Sequence, residues 1–310
     1  MGNYFFIILG FLCFNLTACK GTGKESTNNQ SAIENNSLGF ETPVNSGVNK
    51  YYSNEDSLIF KRIINKSNQL RWDTLDWSDL ILQVGKEFLG TPYIASTLER
   101  DGDESLVINL CEMDCTTFME YVIGIAFSIH KDAKTFDDFT RNLVFLRYRN
   151  GILEGYPSRL HYFTDWMVNN SQKGILEIVS NEWGNEPMPE SVSFMSSNPH
   201  FYRQLSDPEF VQQIKETEQQ MASYNLKYLT KDLIDKHEHL IMDGDIIAFK
   251  TSIKGLDVSH TAFAIHVNNR LHILHASLNN KEVEISAIPL HEYLMKLRNV
   301  DGILVARIGH

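Results

Sequence analysis

The feature that most constrains this chain is a change of hydrophobic period along its length, from 3.6 residues over most of it to 2 residues in the last quarter. In residues 54–70 the apolar Leu58, Ile59, Ile63 and Ile64 recur at helical spacing and predict an opening helix. Ser78 then precedes a face of Leu80, Ile81, Val84, Phe88 and Leu89 that stops at Gly90, with Pro92 beyond; this is the cap, face and stop of a second helix, and it leaves Tyr93 on a loop. After Asp114, the residues Phe118, Met119, Val122, Ile123, Ala126 and Phe127 form a broad apolar face, so a buried helix begins there with Cys115 in its first turn. Helical patterns follow at 135–149 and, as a pair, at 208–237; between them lies a stretch, 151–166, punctuated by Gly and Pro and rich in aromatics. Short β-branched runs occupy 245–250, 261–267, 271–276, 283–285 and 302–308, with turn signals such as Asn268-Asn269 between them. Helices first and strands last predict an α+β fold.

The N-terminal segment stands outside that pattern. Met1 to Cys19 is apolar, too short to span a bilayer as a helix, and closes on small residues before a cysteine, which reads as a secretion signal. Leu16-Thr17-Ala18-Cys19 resembles the lipobox of bacterial lipoproteins, although no Lys or Arg precedes Phe5. That resemblance implies cleavage after residue 18 and acylation of Cys19, giving a protein held on a membrane by lipid. The absence of Asp just after Cys19 leans toward the outer membrane, facing the periplasm. Residues 19–50 are rich in Gly, Ser, Thr and Asn and are expected to form a flexible tether. Residues 51–310 show no second linker, so one elaborated domain, expected to be monomeric, is the simplest organisation. A net charge of -11 argues against nucleic acid as a partner.

With the signal removed, the cysteines are Cys19, Cys111 and Cys115, too few for a disulfide framework. A thiol at a helix N-terminus near an imidazole has its thiolate favoured, and Cys115 meets the first condition. Two histidines could meet the second: His260, opening the run 261–267, and His275, at the end of the run 271–276. If Val267-Asn268-Asn269-Arg270 turns a hairpin, residues near 260 and 276 pair and the two imidazoles come side by side. Cys111 lies one turn before Cys115; a disulfide between them would silence the thiol, and a CxxxC pair without a second close ligand pair is poor zinc spacing, so neither metal nor cofactor is expected.

Four strings, in this order, resemble the motifs of the NlpC-type papain-like cysteine peptidases: Asp114-Cys115-Thr116-Thr117-Phe118, Gly244-Asp245-Ile246-Ile247-Ala248-Phe249, Ser259-His260-Thr261-Ala262-Phe263-Ala264 and His275-Ala276-Ser277. Gly90-Thr91-Pro92-Tyr93 and the run from Ser158 to Trp166 are most similar to the N-acetylmuramoyl-L-alanine amidase-like branch, and the likeness extends over about 80–308. The resemblance implies a papain-like core in which a helix headed by the nucleophile Cys115 packs on a small antiparallel sheet, with extra helices around it. It implies His260 as general base, His275 as the orienting third residue, and cleavage of the bond between the lactyl group of N-acetylmuramic acid and L-alanine in muropeptides, with a preference for anhydro forms.

For the ligand side, Arg159, His161, Asp165 and Trp166, with Tyr162 beside them, are expected on a loop that suits a sugar-peptide substrate, because aromatics stack on sugars and arginine holds carboxylates. Tyr93, Asp114 and Ser259 join them as candidate contacts, and Tyr93 with the Cys115 backbone N–H could meet an oxyanion. His266 and His272 are read as surface or sheet-filling residues, Asp245 as a turn residue, and Glu120 and His130 as helix-surface groups. Two other functions compete: a stem-peptide endopeptidase, and a non-catalytic peptidoglycan-binding lipoprotein.

Overall fold

A computed structural model describes residues 48–189 and 191–309; the signal segment, Cys19 and the tether up to residue 47 lie outside the described residues. Seven helices frame the site: α1 (Asn54–Gln69), α2 (Trp77–Lys86), α3 (Cys115–His130), α4 (Phe136–Arg147), α5 (Phe163–Gln172), α6 (Pro208–Met221) and α7 (Leu290–Met295). Six strands form the body of one sheet: β1 (Lys227–Thr230), β2 (Ile246–Thr251), β3 (Val258–Val267), β4 (Arg270–Ser277), β5 (Glu282–Ile285) and β6 (Val300–Ile308). Their order is β1-β6-β2-β3-β4-β5, antiparallel throughout, with the short pieces Leu176–Glu177 and Glu186–Pro187 added beside β6 and β1. The fold is α+β, with helices and strands largely segregated along the chain as the change of period predicts.

The α3 helix is the centre of the molecule. All residues from Thr117 to Ile129 are buried, which a helix with so continuous an apolar run requires of its neighbours. Phe118 packs edge-on against Phe263 of β3 at 5.8 Å, and Ile265, Leu274, Ala276 and Leu304 complete the sheet face beneath the helix. Each such side chain contributes about 1.5–3 kcal/mol by leaving water. On the opposite face Leu290 and Leu294 of α7 cover Ala262, Ala264, Ile273 and Val305. The alternation along β3 and β4 is what divides the two cores.

Several boundaries differ from the sequence-based expectation. Asp76, not Ser78, caps α2, its carboxylate accepting from the Asp79 N–H at 2.9 Å, and the helix stops at Lys86, four residues before Gly90. Within 208–237 only α6 is a long helix; residues 227–230 are instead the strand β1, and a single helical turn follows at Ile234–His237. Four residues are too few to display a period, and β1 owes its conformation to pairing with β6, where Ile303 lies opposite Leu229. That pairing also explains Gly302, at which a Cβ would stand 2.0 Å from the Leu229 carbonyl oxygen. Finally, β3 begins at Val258, so His260 lies inside the strand and does not open it.

Candidate active site

Asp114 fixes the start of α3 through a reciprocal capping box: its carboxylate accepts from the Thr117 N–H at 2.8 Å, and the Thr117 hydroxyl accepts from the Asp114 N–H at 2.9 Å. Cys115 is therefore the first helical residue, with a backbone N–H that has no acceptor inside the helix. The residue as a whole is partly exposed, while its thiol is buried.

The sheet contributes the rest through its hydrogen-bond phase. Ala264 exchanges both backbone bonds with the β2 side, at Asp245 and Gly244, so odd-numbered residues of β3 turn theirs toward β4. The β3–β4 register runs from Val267↔Arg270 only as far as Phe263↔Leu274. Beyond that point Thr261 has no ladder partner in β4; its N–H favours the Cys115 thiolate, and its hydroxyl donates to the Cys115 carbonyl at 2.9 Å. Past the same end of the ladder, His260 Nε2 and His275 Nδ1 lie 2.7 Å apart, with the rings nearly perpendicular. They are a diagonal pair, since His275 continues the register toward Ala262 rather than His260. The hairpin that sets this register turns at Asn268 and Asn269, both at positive φ, as a two-residue turn between twisted strands demands.

Electrostatically the site is neutral at rest. Burial, helped by the adjacent Asp114 carboxylate, pushes the Cys115 thiol up to about 11, against the pull of the Thr261 N–H and the Thr261 and Thr116 hydroxyls. Burial, with the His275 ring as a second cause, holds His260 well below the ordinary imidazole value. His275 is fully buried and is pushed down to about 4 by burial, partly offset by Glu284. Thiol and imidazoles are thus all held toward their uncharged forms by burial. Tyr93 is anchored by its N–H to the Lys281 carbonyl at 2.8 Å and pairs with Met113. Its phenol is raised by burial, with the charges of Cys115 and Asp114 adding to the shift, so it stays neutral.

The other expected contacts fall differently. Arg159 is buried, and its guanidinium bonds Glu104 at 2.9 and 2.7 Å and Glu99 at 2.7 Å, leaving no free edge for a ligand carboxylate. Asp165 and Trp166 belong to α5, not to a loop; Asp165 accepts from Arg149 and from the Tyr224 hydroxyl at 2.7 Å, and Trp166 is wholly buried and stacked on Phe163. The Tyr162 hydroxyl donates to Glu218 at 2.6 Å, and His161 Nε2 lies 2.9 Å from the Tyr156 carbonyl, the ring pushed down to about 3 by burial. Arg159, Tyr162 and Asp165 join distant segments of the chain, while His161 and Trp166 contact near neighbours, so the cluster is tied into the protein and differs from the expected ligand-facing loop. A cluster of polar and aromatic residues looks the same in sequence whether its partners are solutes or other parts of the protein.

Asp114 is committed to its cap, and Ser259 is partly exposed on β3, beside His260. Glu120 is no surface group: it is buried and accepts from Arg147 Nε at 2.6 Å, while Arg147 Nη1 reaches the Val107 carbonyl. His130 is exposed at the end of α3, beside Trp77. Asp245 holds Arg307 and the Met242 N–H, a structural role; His266 bonds Asp243, and the buried His272 bonds the Ser286 carbonyl. Cys111 and Cys115 are both free thiols. Thr261 was not singled out from sequence, although its place directly after His260 was the available signal.

Known proteins match the chain over the same region. Residues 83–303 match the AmiA-like family, described as N-acetylmuramoyl-L-alanine amidase-like. An N-acetylmuramoyl-L-alanine amidase from Bacteroides uniformis ATCC 8492 is 39% identical with a TM-score of 0.73, over 76% of this chain and 100% of that one. A Bacteroides fragilis protein provisionally named a xylanase is 40% identical with a TM-score of 0.70, over 73% and 100% of the two chains. A Legionella pneumophila protein of family DUF1460 shares the fold at 20% identity and a TM-score of 0.61, over 82% and 94%. No curated protein matches. With a family match across most of its length and a solved relative at 39% identity, the chain belongs to the AmiA-like, N-acetylmuramoyl-L-alanine amidase-like family.

Proposed function

We propose that the protein is a papain-like cysteine amidase that hydrolyses the bond between the lactyl group of N-acetylmuramic acid and L-alanine in muropeptides, with Cys115 as nucleophile, His260 as base and His275 as the orienting residue. The observation that carries this reading is the junction at the end of the β3–β4 ladder, where the Thr261 hydroxyl holds the Cys115 carbonyl at 2.9 Å and His260 Nε2 lies 2.7 Å from His275 Nδ1. In this reading the Cys115 proton passes to His260 as sulfur attacks the lactyl carbonyl. The oxyanion is met by the backbone N–H of Cys115 and the Tyr93 hydroxyl. The imidazolium then protonates the alanine nitrogen, the stem peptide leaves as a free amine, and water activated by His260 releases the sugar acid from the thioester.

A thiol with two imidazoles favours acyl transfer over glycoside hydrolysis, which relies on a pair of carboxylates flanking the scissile bond. Lipid attachment at Cys19 would hold the domain near a membrane surface, facing periplasmic wall fragments. The test is mass analysis of products from defined muropeptides under reducing conditions. Free sugar acid plus an intact stem peptide is the expected outcome. A sugar still bearing L-Ala-D-Glu would make the protein an endopeptidase, and no cleavage would make it a binding protein.

A further inference from the structure

His275 leaves one end of the site unaccounted for. Its Nδ1 faces His260, but its Nε2 is fully buried and has no hydrogen-bond partner. The nearest charged group is Glu284, 3.6 Å away at Oε1. The contact follows from the register, because His275 and Glu284 are direct cross-strand partners between β4 and β5. Glu284 is itself held: Asn280 Nδ2 donates to its two carboxylate oxygens at 2.8 and 2.7 Å, and the turn carrying Asn280 is closed by the Lys281 N–H on the Ser277 carbonyl. Among the described residues, the other titratable side chain whose ring faces His275 is Tyr293 of α7, at 5.7 Å, and its phenol is raised by burial and by the same carboxylate.

We propose that Glu284 is a positioning residue that fixes the tautomer of both imidazoles; the inference rests on the cysteine amidase reading of the site. A carboxylate facing His275 Nε2 favours a proton there and disfavours a bare lone pair. With Nε2 protonated, the Nδ1 of His275 is an acceptor, so the 2.7 Å contact must be donated by His260 Nε2–H. The Nδ1 of His260 is then the bare nitrogen, the one able to take the Cys115 proton. Reversing the His275 tautomer would either place two protons between the rings or make His260 Nε2 the acceptor, with the His260 proton then on Nδ1 and no lone pair there. Glu284 thus ends a chain of donors that runs in one direction from the thiol to the carboxylate, and its charge also favours the imidazolium that forms during attack.

The experiment uses the full-length chain and needs no substrate, so a failure of the amidase assignment and a failure of this inference are told apart. Ring nitrogens are labelled with 15N on histidine, with His275→Gln supplying the assignment, and Cys115 alkylation by iodoacetamide is followed against pH. His275 is expected to carry its proton on Nε2 in the native protein. Glu284→Gln, which keeps an acceptor and loses the charge, should slow alkylation at pH 7 about fivefold and move the lower pH limb further down, and Glu284→Ala should slow it about thirtyfold, both below the roughly 10²–10⁴-fold contributed by a general base itself. Near-ultraviolet circular dichroism checks that both variants are folded, and Asn280→Ala, which frees the carboxylate without removing it, should give a smaller loss of the same kind. A native His275 protonated on Nδ1 would overturn the inference. So would alkylation rates and pH limbs in Glu284→Gln and Glu284→Ala that match the native protein within twofold.

Discussion

His260 Nε2 and His275 Nδ1 meet at 2.7 Å where the ladder between their strands has already ended. Continued in the same register, the ladder would set Thr261 against Ala276 and the Thr261 N–H would be spent. Ending the pairing at Phe263↔Leu274 frees that N–H for the Cys115 sulfur while the imidazoles bridge the strands by their side chains. The reactive arrangement is thus a consequence of where β3 and β4 stop pairing.

Cys115→Ala is expected to abolish turnover and to change stability by no more than about 1 kcal/mol, because it removes a single sulfur atom from a first-turn residue. Activity at native level in this variant would remove the thiol from the mechanism.

His275→Ala should lower kcat by about a hundredfold or more with KM nearly unchanged, since an orienting imidazole acts in the transition state and not on bound substrate. Thr261→Val keeps the N–H but loses the hydroxyl that holds the Cys115 carbonyl, and should cost about tenfold in kcat/KM. Full rate in the first variant would leave His275 a purely structural residue.

Breaking the ion pair between Glu120 and Arg147 should be costly, because both side chains are buried and removing one strands the other's charge. For Arg147→Ala the expected loss is about 3–5 kcal/mol, read from urea unfolding. A loss within experimental scatter of zero would contradict the buried pairing.

Stability should also fall with acid in a defined window. His260, His275 and His161 all have imidazoles lowered by burial, to about 4 for His275 and about 3 for His161. The unfolded chain therefore binds more protons than the folded one as pH drops below about 6.5, and stability is lost progressively from there down toward the folded values. Urea midpoints between pH 7 and pH 4 test this, with His161→Gln expected to flatten the slope; a stability that stays level over that range would contradict the buried, neutral imidazoles.

Much of this was legible in the sequence where local pattern and final environment agree. The α3 helix shows its start in Asp114 and its burial in the unbroken apolar run after it, and the Asn268-Asn269 turn sets the register that brings the two histidines together. What was hidden depends on partners far along the chain. Glu120 looks like any polar residue on a helix until Arg147 is placed beside it, and Arg159 looks free until Glu99 and Glu104 arrive from a loop 55 to 60 residues away. The strand Lys227–Thr230 exists only through its pairing with β6. Thr261 and Glu284 take their places from strand register, which no single segment displays.

The most direct measurement is to quench the enzyme with acid during turnover of a defined muropeptide and to locate the covalent adduct by peptide mass mapping. The expected result is a thioester on Cys115 bearing the muramyl sugar through its lactyl carbonyl, with the stem peptide already released. An adduct carrying L-Ala-D-Glu, an adduct on a residue other than Cys115, or turnover with no adduct on a chain that still needs Cys115 for activity would contradict the proposed chemistry.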